Sequence, residues 1–195
     1  SMRHPMTRTT NRSEYELPGP PAPRRPFARY EPTPYRIVNL MLTLAEVGPE
    51  DVLYDLGSGD GRIPITAATE FGAHAVGIEI DAKRVALART NAVKAGVSER
   101  VTFIQQDLFE ADFSAASIVT LYLLPRLNQL LRPRLLCELR PGTRIVSHTH
   151  SMGNWRPRRT RQIVDGLGWC HRVYLWTVGD SGRASMPRSS GRKSK

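Results

Sequence analysis

"DLGSGDGR" (residues 55–62) carries glycine at every second position from 57 to 61, with one aspartate before the glycines and another among them. Its first two residues end the apolar run VLYDL (52–56), which predicts a strand, and its last residue begins a helical pattern over 62–71. Glycines let a ligand approach the backbone, and the start of a helix offers free N–H groups. A parallel sheet binds its ligands at such a turn from strand to helix.

Three classes of ligand compete for this loop. A phosphate-binding P-loop needs Gly-Lys-Ser/Thr after four spacer residues, which the chain lacks, and a dinucleotide loop needs glycine where Arg62 stands. The third class, S-adenosylmethionine, is bound by loops of the form Asp-x-Gly-x-Gly-x-Gly. It carries an ammonium and a sulfonium but no pyrophosphate, so Asp55 and Asp60 suit it and would repel a dinucleotide. The loop therefore favours S-adenosylmethionine.

The rest of the chain alternates short apolar runs with helical patterns. This alternation predicts an α/β fold, with a mostly parallel central sheet and helices on both faces. Pro133 is expected to kink or split the helix in which it lies, and Thr33 is expected to cap a helix whose first residue is Pro34. The C-terminal runs RQIVDG and CHRVYLWTVG predict an antiparallel hairpin at the sheet edge. The predicted strands span 52–56, 75–80, 101–106, 117–124 and 143–148, and the helices that follow them span 62–71, 82–95 and 125–139.

Acidic residues recur at the ends of neighbouring predicted strands. Glu79 ends the second strand, where a carboxylate can accept hydrogen bonds from both ribose hydroxyls. Asp107 ends the third strand and can accept from the adenine amino group, with Ile80 or Leu108 flanking the ring. For either acid alone, a role as a helix cap or in a solvated turn would be as good an interpretation as ligand binding. Asp81 is expected to cap the next helix.

The net charge of +10 lies mostly in the two ends of the chain. Residues 1–29 and 180–195 each carry a net charge of +4, which leaves only +2 for the remainder. We therefore expect disordered basic tails at 1–28, which is rich in proline and arginine, and at 180–195, flanking one domain at 29–179. The tails offer a contact for nucleic acid or another acidic surface.

Cysteine content and hydropathy favour a cytoplasmic protein. Cys137 and Cys170 are far apart and are interpreted as two buried thiols in a reducing compartment. No apolar run is long enough for a membrane span, and no secretory signal is expected. His148 and His150 would share one face of a strand, where packing or substrate contact is favoured over a metal pair. No metal site is predicted.

Residues 30–179 resemble the class I S-adenosylmethionine-dependent methyltransferases. More narrowly, they resemble the broad-specificity archaeal protein-lysine methyltransferases and the mitochondrial enzymes acting on the ATP synthase c-ring and the adenine nucleotide carrier. The resemblance implies a Rossmann-like class I methyltransferase fold and a segment before the first helix that folds over the cofactor. It rests on YEPTP (30–34), VLYDLGSGDGRI (52–63), AVGIEID (75–81), VTLYLLPRLNQLLRPRLL (119–136) and PGTRIVSHTHSMGNW (141–155).

The resemblance also implies site residues and a methyl acceptor. Tyr30 and Thr33 would touch the cofactor, Thr33 through its hydroxyl near the methionine part. The sequence itself makes Tyr122 the candidate lining residue of the acceptor channel, because it ends the fourth strand near the expected position of the methyl group, and Trp155 would wall the channel. Protein lysine is the favoured acceptor; RNA, a small molecule, or a cofactor-binding module without catalysis are the alternatives. The expected cofactor-binding residues are Tyr30, Thr33, Asp55, Gly57, Ser58, Gly59, Glu79, Ile80, Asp107 and Leu108.

Overall fold

The structure is a computed structural model that describes residues 31–180. Tyr30 and the two basic tails, apart from Asp180, lie outside the described residues. The four helices are α1 (Tyr35–Leu44), α2 (Arg62–Phe71), α3 (Ala82–Lys94) and α4 (Pro125–Glu138). The seven strands are β1 (Val52–Leu56), β2 (His74–Glu79), β3 (Val101–Gln105), β4 (Ile118–Leu121), β5 (Arg144–His148), β6 (Arg159–Val164) and β7 (Cys170–Thr177).

The strands form a single mixed sheet in the order β3-β2-β1-β4-β5-β7-β6. The five strands β1 to β5 are parallel, whereas β7 runs antiparallel to both β5 and β6. This confirms the predicted α/β sheet with its antiparallel hairpin at one edge. The chain moves from β1 toward β3 and later returns to place β4 on the other side of β1. A crevice therefore opens at the carboxyl ends of β1 and β4.

Two apolar cores lie on opposite faces of the sheet. One joins α1, α2 and α3 to the sheet and contains Leu53 of β1, while the other packs α4 and contains Leu56. The side chains of a strand alternate between faces, so β7 sends Val173 into the first core and Trp176 into the second. Because both faces are covered, the central strands are mostly apolar, and the buried polar side chains Asp55 and Thr120 lie toward the carboxyl ends of β1 and β4.

Two helix predictions need correction. Helix α1 begins at Tyr35 with Pro34 at the cap position, and no side chain caps it, because the Thr33 hydroxyl is bonded to His148 instead. Helix α4 is not split by Pro133 and is assigned continuously from Pro125 to Glu138. Pro133 lies on the exposed side, and the carbonyl of exposed Gln129, which loses a helical partner there, can be hydrated. The predicted cap at Asp81 is confirmed, since its carboxylate accepts from the Lys83 N–H at 2.8 Å.

The predicted burial of the two cysteines is wrong. Cys137 lies on the outer side of α4 and Cys170 begins β7, and both thiols are free and exposed. Both positions sit beside apolar residues in sequence, but helical and strand periodicity turn them outward. Over residues 31–180, none of the helices combines the length and the apolar character that crossing a bilayer requires.

Candidate functional site

A cleft opens at the carboxyl ends of the parallel strands, around the crevice between β1 and β4. Its floor is the glycine loop, its far wall comes from the turns after β2 and β3, and its near wall comes from β4 and residues 31–33. The lining residues are Glu31, Pro32, Thr33, Asp55, Gly57, Ser58, Asp60, Arg62, Ile63, Ile78, Glu79, Ile80, Arg84, Gln106, Asp107, Leu108, Tyr122, Leu123, Leu124, Leu127 and His150.

The glycine loop is fixed by backbone hydrogen bonds to the end of β2. The N–H groups of Gly57 and Ser58 both donate to the Ile78 carbonyl, at 2.8 and 2.9 Å. Gly57 has φ +91°, a conformation that disfavours any side chain. Gly61 serves a different purpose, because a Cβ there would lie 2.5 Å from the Phe103 ring. Its missing side chain lets α2 pack closely against β3, so it serves packing rather than ligand contact.

Two acids bond to residues of the glycine loop. Glu79 is the last residue of β2, and only 6% of it is exposed. Its two oxygens accept from the N–H groups of Gly59 and Asp81, at 2.9 and 3.0 Å. Asp60 pairs with Arg62 at 2.7 Å. Glu79 thus holds the loop while facing the cleft.

The third strand contributes its acid slightly later than predicted. Asp107 follows the end of β3 by two residues rather than ending the strand. One of its oxygens accepts from the Phe109 N–H at 2.9 Å, which fixes the turn. Leu108 and Ile80 line the same cleft. The cleft therefore combines an acceptor with apolar side chains, which suits a flat heterocycle.

Asp55 is the most perturbed carboxyl group of the cleft. Its pKa is raised to about 7, mainly by burial and also by the nearby charges of Glu79 and Asp60, while a hydrogen bond from Thr120 at 2.8 Å opposes the shift. Its folded pKa lies above its unfolded value, so its contribution to stability is complete below about pH 4 and is lost as the pH rises through about 7.

We expect Asp55 to release a proton when the cleft takes up a cationic ligand. A positive charge favours the ionised carboxylate and lowers its pKa, so at pH 6.5 the binding of S-adenosylmethionine should expel a fraction of a proton. Calorimetry in two buffers of different ionisation enthalpy measures this fraction. Asp55→Asn should bind with heats that do not depend on the buffer. Buffer-independent heats in the wild-type protein would contradict the expectation.

The near wall brings an aromatic ring and a carboxylate together. Tyr122 follows β4 directly, and its half-buried ring lies against His148 with centroids 4.2 Å apart. Its hydroxyl donates to the Glu31 carboxylate at 3.4 Å. Burial raises the pKa of Tyr122, and the Glu31 charge raises it further, so the phenol stays protonated at neutral pH. Thr33 is buried beside them, and its carbonyl accepts from Arg62 at 3.0 Å.

The residues present fit S-adenosylmethionine. Gly57 and Ser58 line the floor of the cleft, and the missing side chain of Gly57 leaves main chain that a nucleoside can approach. The carboxylates of Asp55 in β1, Glu79 at the end of β2 and Asp107 after β3 suit a cation that has several hydroxyl and amino donors. Glu79 and Asp107 would hold the adenosine part, which leaves the methionine part toward Asp55 and the near wall.

Most of the residues predicted for the site converge here. Among the described residues, every predicted cofactor-binding residue except Gly59 lines the cleft, as does Tyr122, and Gly59 contacts the cleft residue Glu79 through its N–H. Trp155 instead packs beside Trp176, with centroids 5.9 Å apart. Strand β5 ends at His148, and Thr149 follows with φ +68°, so His148 and His150 do not share a strand face. The cleft also holds residues that were not predicted, such as Glu31, Arg62 and Arg84, because no spacing rule points to them.

Comparisons with known proteins agree with this geometry. A family model described as the ANTKMT methyltransferase domain matches residues 55–159. The chain is 44% identical over 156 residues to a protein-lysine N-methyltransferase of Saccharolobus islandicus, a match that covers 80% of this chain and 96% of that protein. It is 36% identical over 148 residues to the adenine nucleotide translocase lysine N-methyltransferase of Mus musculus, covering 75% of this chain and 62% of the mouse protein.

A solved structure is also similar. It is described as an RNA methyltransferase from Salinibacter ruber in complex with S-adenosyl-L-homocysteine. The sequence identity is 57% and the TM-score is 0.72, and the match covers 77% of this chain and 95% of that one.

Proposed function

The chain belongs to the ANTKMT methyltransferase family, and from that membership we propose that it transfers methyl groups from S-adenosylmethionine to the amino groups of protein lysines. The observation that carries the choice of lysine is the near wall of the cleft. Tyr122 supplies an aromatic surface, and Glu31 supplies a carboxylate within hydrogen-bond reach of its hydroxyl. An exposed carboxylate attracts an ammonium, and an aromatic surface strips water from it.

The reaction requires a neutral amine. Bound S-adenosylmethionine supplies a methyl group already activated by a sulfonium, so no covalent enzyme intermediate is needed. Lysine titrates near 10.4, and neutralising it at pH 7 costs about 4.6 kcal/mol, at about 1.36 kcal/mol for each pH unit. The Glu31 charge opposes this loss of a proton, so neutralisation depends on desolvation at the half-buried surface around Tyr122 and on repulsion by the sulfonium, both of which lower the pKa of an entering lysine. This wall would also align the amine for in-line attack.

RNA is the second candidate acceptor, and two observations favour it. The similar Salinibacter ruber structure is described as an RNA methyltransferase. The edge hairpin and the segment before it also display exposed basic side chains, and the turn of the hairpin exposes Trp169. These basic side chains are Arg156, Arg158, Arg159, Arg161 and Arg172. Basic side chains suit phosphates, and an exposed aromatic ring suits a base. The lysine proposal is preferred because the lining of the cleft contains more acidic than basic side chains. These carboxylates would repel a phosphate backbone.

One labelling experiment separates the two acceptors. The full chain is incubated with methyl-labelled S-adenosylmethionine and a cell lysate, and portions are then treated with protease or ribonuclease. Label should resist ribonuclease, appear as methyllysine after acid hydrolysis, and vanish when the lysate amines are acetylated beforehand. Label that only ribonuclease removes would contradict the lysine assignment and leave the methyltransferase activity intact.

We also propose a cytoplasmic location. The two exposed thiols, Cys137 and Cys170, are free, which suits a reducing compartment. The basic termini would add a salt-sensitive contact to an acidic partner.

A further inference from the structure

A chain of hydrogen bonds connects the cleft to the tip of the edge hairpin. The Thr33 hydroxyl lies 3.2 Å from His148 Nδ1, and His148 Nε2 lies 3.0 Å from His171 Nδ1. His171 Nε2 lies 2.9 Å from an oxygen of Asp165. Asp165 sits in the turn between β6 and β7, and Thr33 lines the cleft. Residues from opposite ends of the described chain thus meet in one continuous line.

The acidic end of this line fixes the position of every proton along it. The pKa of Asp165 is held below its usual value by the His171 hydrogen bond and by backbone N–H groups, so its carboxylate can only accept. In the form of His171 that carries a single proton, this proton therefore lies on Nε2, which faces Asp165, and Nδ1 accepts from His148. His148 must then donate from Nε2, which leaves its Nδ1 bare. The Thr33 hydroxyl proton must point at that bare nitrogen.

His148 itself stays neutral, which keeps this order of protons in place. Its pKa is lowered to about 3, mainly by burial and also by the neighbouring His171 and His150. With one proton only, His148 cannot donate on both sides. The lone pairs of Thr33 consequently remain available to the cleft.

We propose that Asp165, acting through His171 and His148, fixes the Thr33 hydroxyl as a hydrogen-bond acceptor for the ammonium group of S-adenosylmethionine. The proposal rests on the proposed function, since it assumes that cofactor in the cleft. Glu79 after β2 and the turn after β3 would hold the adenosine part, and Thr33 lies on the other side of β1, where the methionine part would reach. A cationic amino group requires an acceptor there, and a hydroxyl whose proton faced the cleft would repel it.

Asp165→Asn tests the proposal because it reverses the direction of the hydrogen bonds between residue 165 and Thr33. It does so without breaking the hydrogen bonds that hold the turn between β6 and β7. One carboxylate oxygen of Asp165 accepts from the N–H groups of Leu167 and Trp169, both at 2.9 Å. The asparagine carbonyl keeps those bonds, so its amino group faces His171. His171 must then accept there and donate toward His148, and His148 donates to Thr33. The Thr33 proton is driven toward the cleft.

The measurement compares two ligands that differ in the amino-acid part. Asp165→Asn should weaken S-adenosylhomocysteine about tenfold by calorimetry and leave 5′-methylthioadenosine, which lacks that part, within twofold of wild type. Thr33→Val should show the same selective loss, and the double variant should lose no more than Thr33→Val alone. Leu167→Ala, at an 85% exposed position in the same turn, is the matched control and should bind both ligands normally.

Two results would overturn the proposal. One is unchanged binding of S-adenosylhomocysteine by Asp165→Asn, and the other is an equal loss for both ligands, which indicates a merely structural role. A wild-type protein that binds neither ligand would instead contradict the proposed function itself.

Discussion

Tyr122→Ala is expected to lower kcat for a lysine-containing protein at least about a hundredfold, because an unaligned acceptor loses the advantage of orientation. The ring lies 4.2 Å from the His148 ring between centroids and forms the near wall of the cleft. Its removal would let water and the acceptor side chain occupy several positions. The Kd of S-adenosylhomocysteine should stay within about threefold of wild type, because the groups expected to hold the adenosine lie across the cleft.

Tyr122→Phe is the matched control. It keeps the ring and removes only the hydrogen bond to Glu31, so kcat should fall about tenfold or less. Steady-state kinetics and calorimetry on the same preparations provide both numbers. An alanine variant with a normal kcat, or one that loses cofactor affinity as severely as activity, would remove Tyr122 from the acceptor channel.

Glu79→Gln is expected to weaken S-adenosylhomocysteine at least about a hundredfold. Both carboxylate oxygens accept backbone N–H groups, from Gly59 in the loop and from Asp81 before α3. A glutamine has one oxygen, so its amino group must face an N–H donor and leave it unsatisfied. That loss destabilises the fold by about 1–3 kcal/mol and displaces the loop on which the ligand would rest.

Asp81→Asn provides the comparison for Glu79. Asp81 lies two residues away and caps α3, a role that asparagine also performs, and it does not line the cleft. Its ligand affinity should be unchanged. Calorimetry measures the affinity and thermal unfolding measures the stability of both variants. Wild-type affinity in Glu79→Gln would show that the cleft does not depend on this carboxylate.

The central strands could be predicted from the sequence because their information is local. The apolar runs around Asp55, Glu79 and Asp107 mark strand ends within two residues, and the topology then brings these acids to one edge. Such an inference needs only the period of the pattern and the rule for parallel sheets.

The hydrogen bonds that support the near wall could not be predicted in the same way. The contact between Thr33 and His148 spans 115 residues, and the contact between His148 and His171 depends on the register of β5 against β7. A local pattern reads Thr33 before Pro34 as a helix cap, but the tertiary hydrogen bond prevails. The cysteines were misplaced for a related reason, because apolar neighbours in sequence do not determine which face of an element is covered.

The antiparallel edge of the sheet also sets an order in which the protein can be completed on the ribosome. Strand β6 emerges before β7, yet within residues 31–180 its only sheet neighbour is β7, which lies between it and β5. A nascent chain that ends after β6 therefore holds an unpaired strand and lacks His171, so the wall behind Thr33 is unfinished. The support behind the near wall of the cleft is therefore completed only when the final strand inserts.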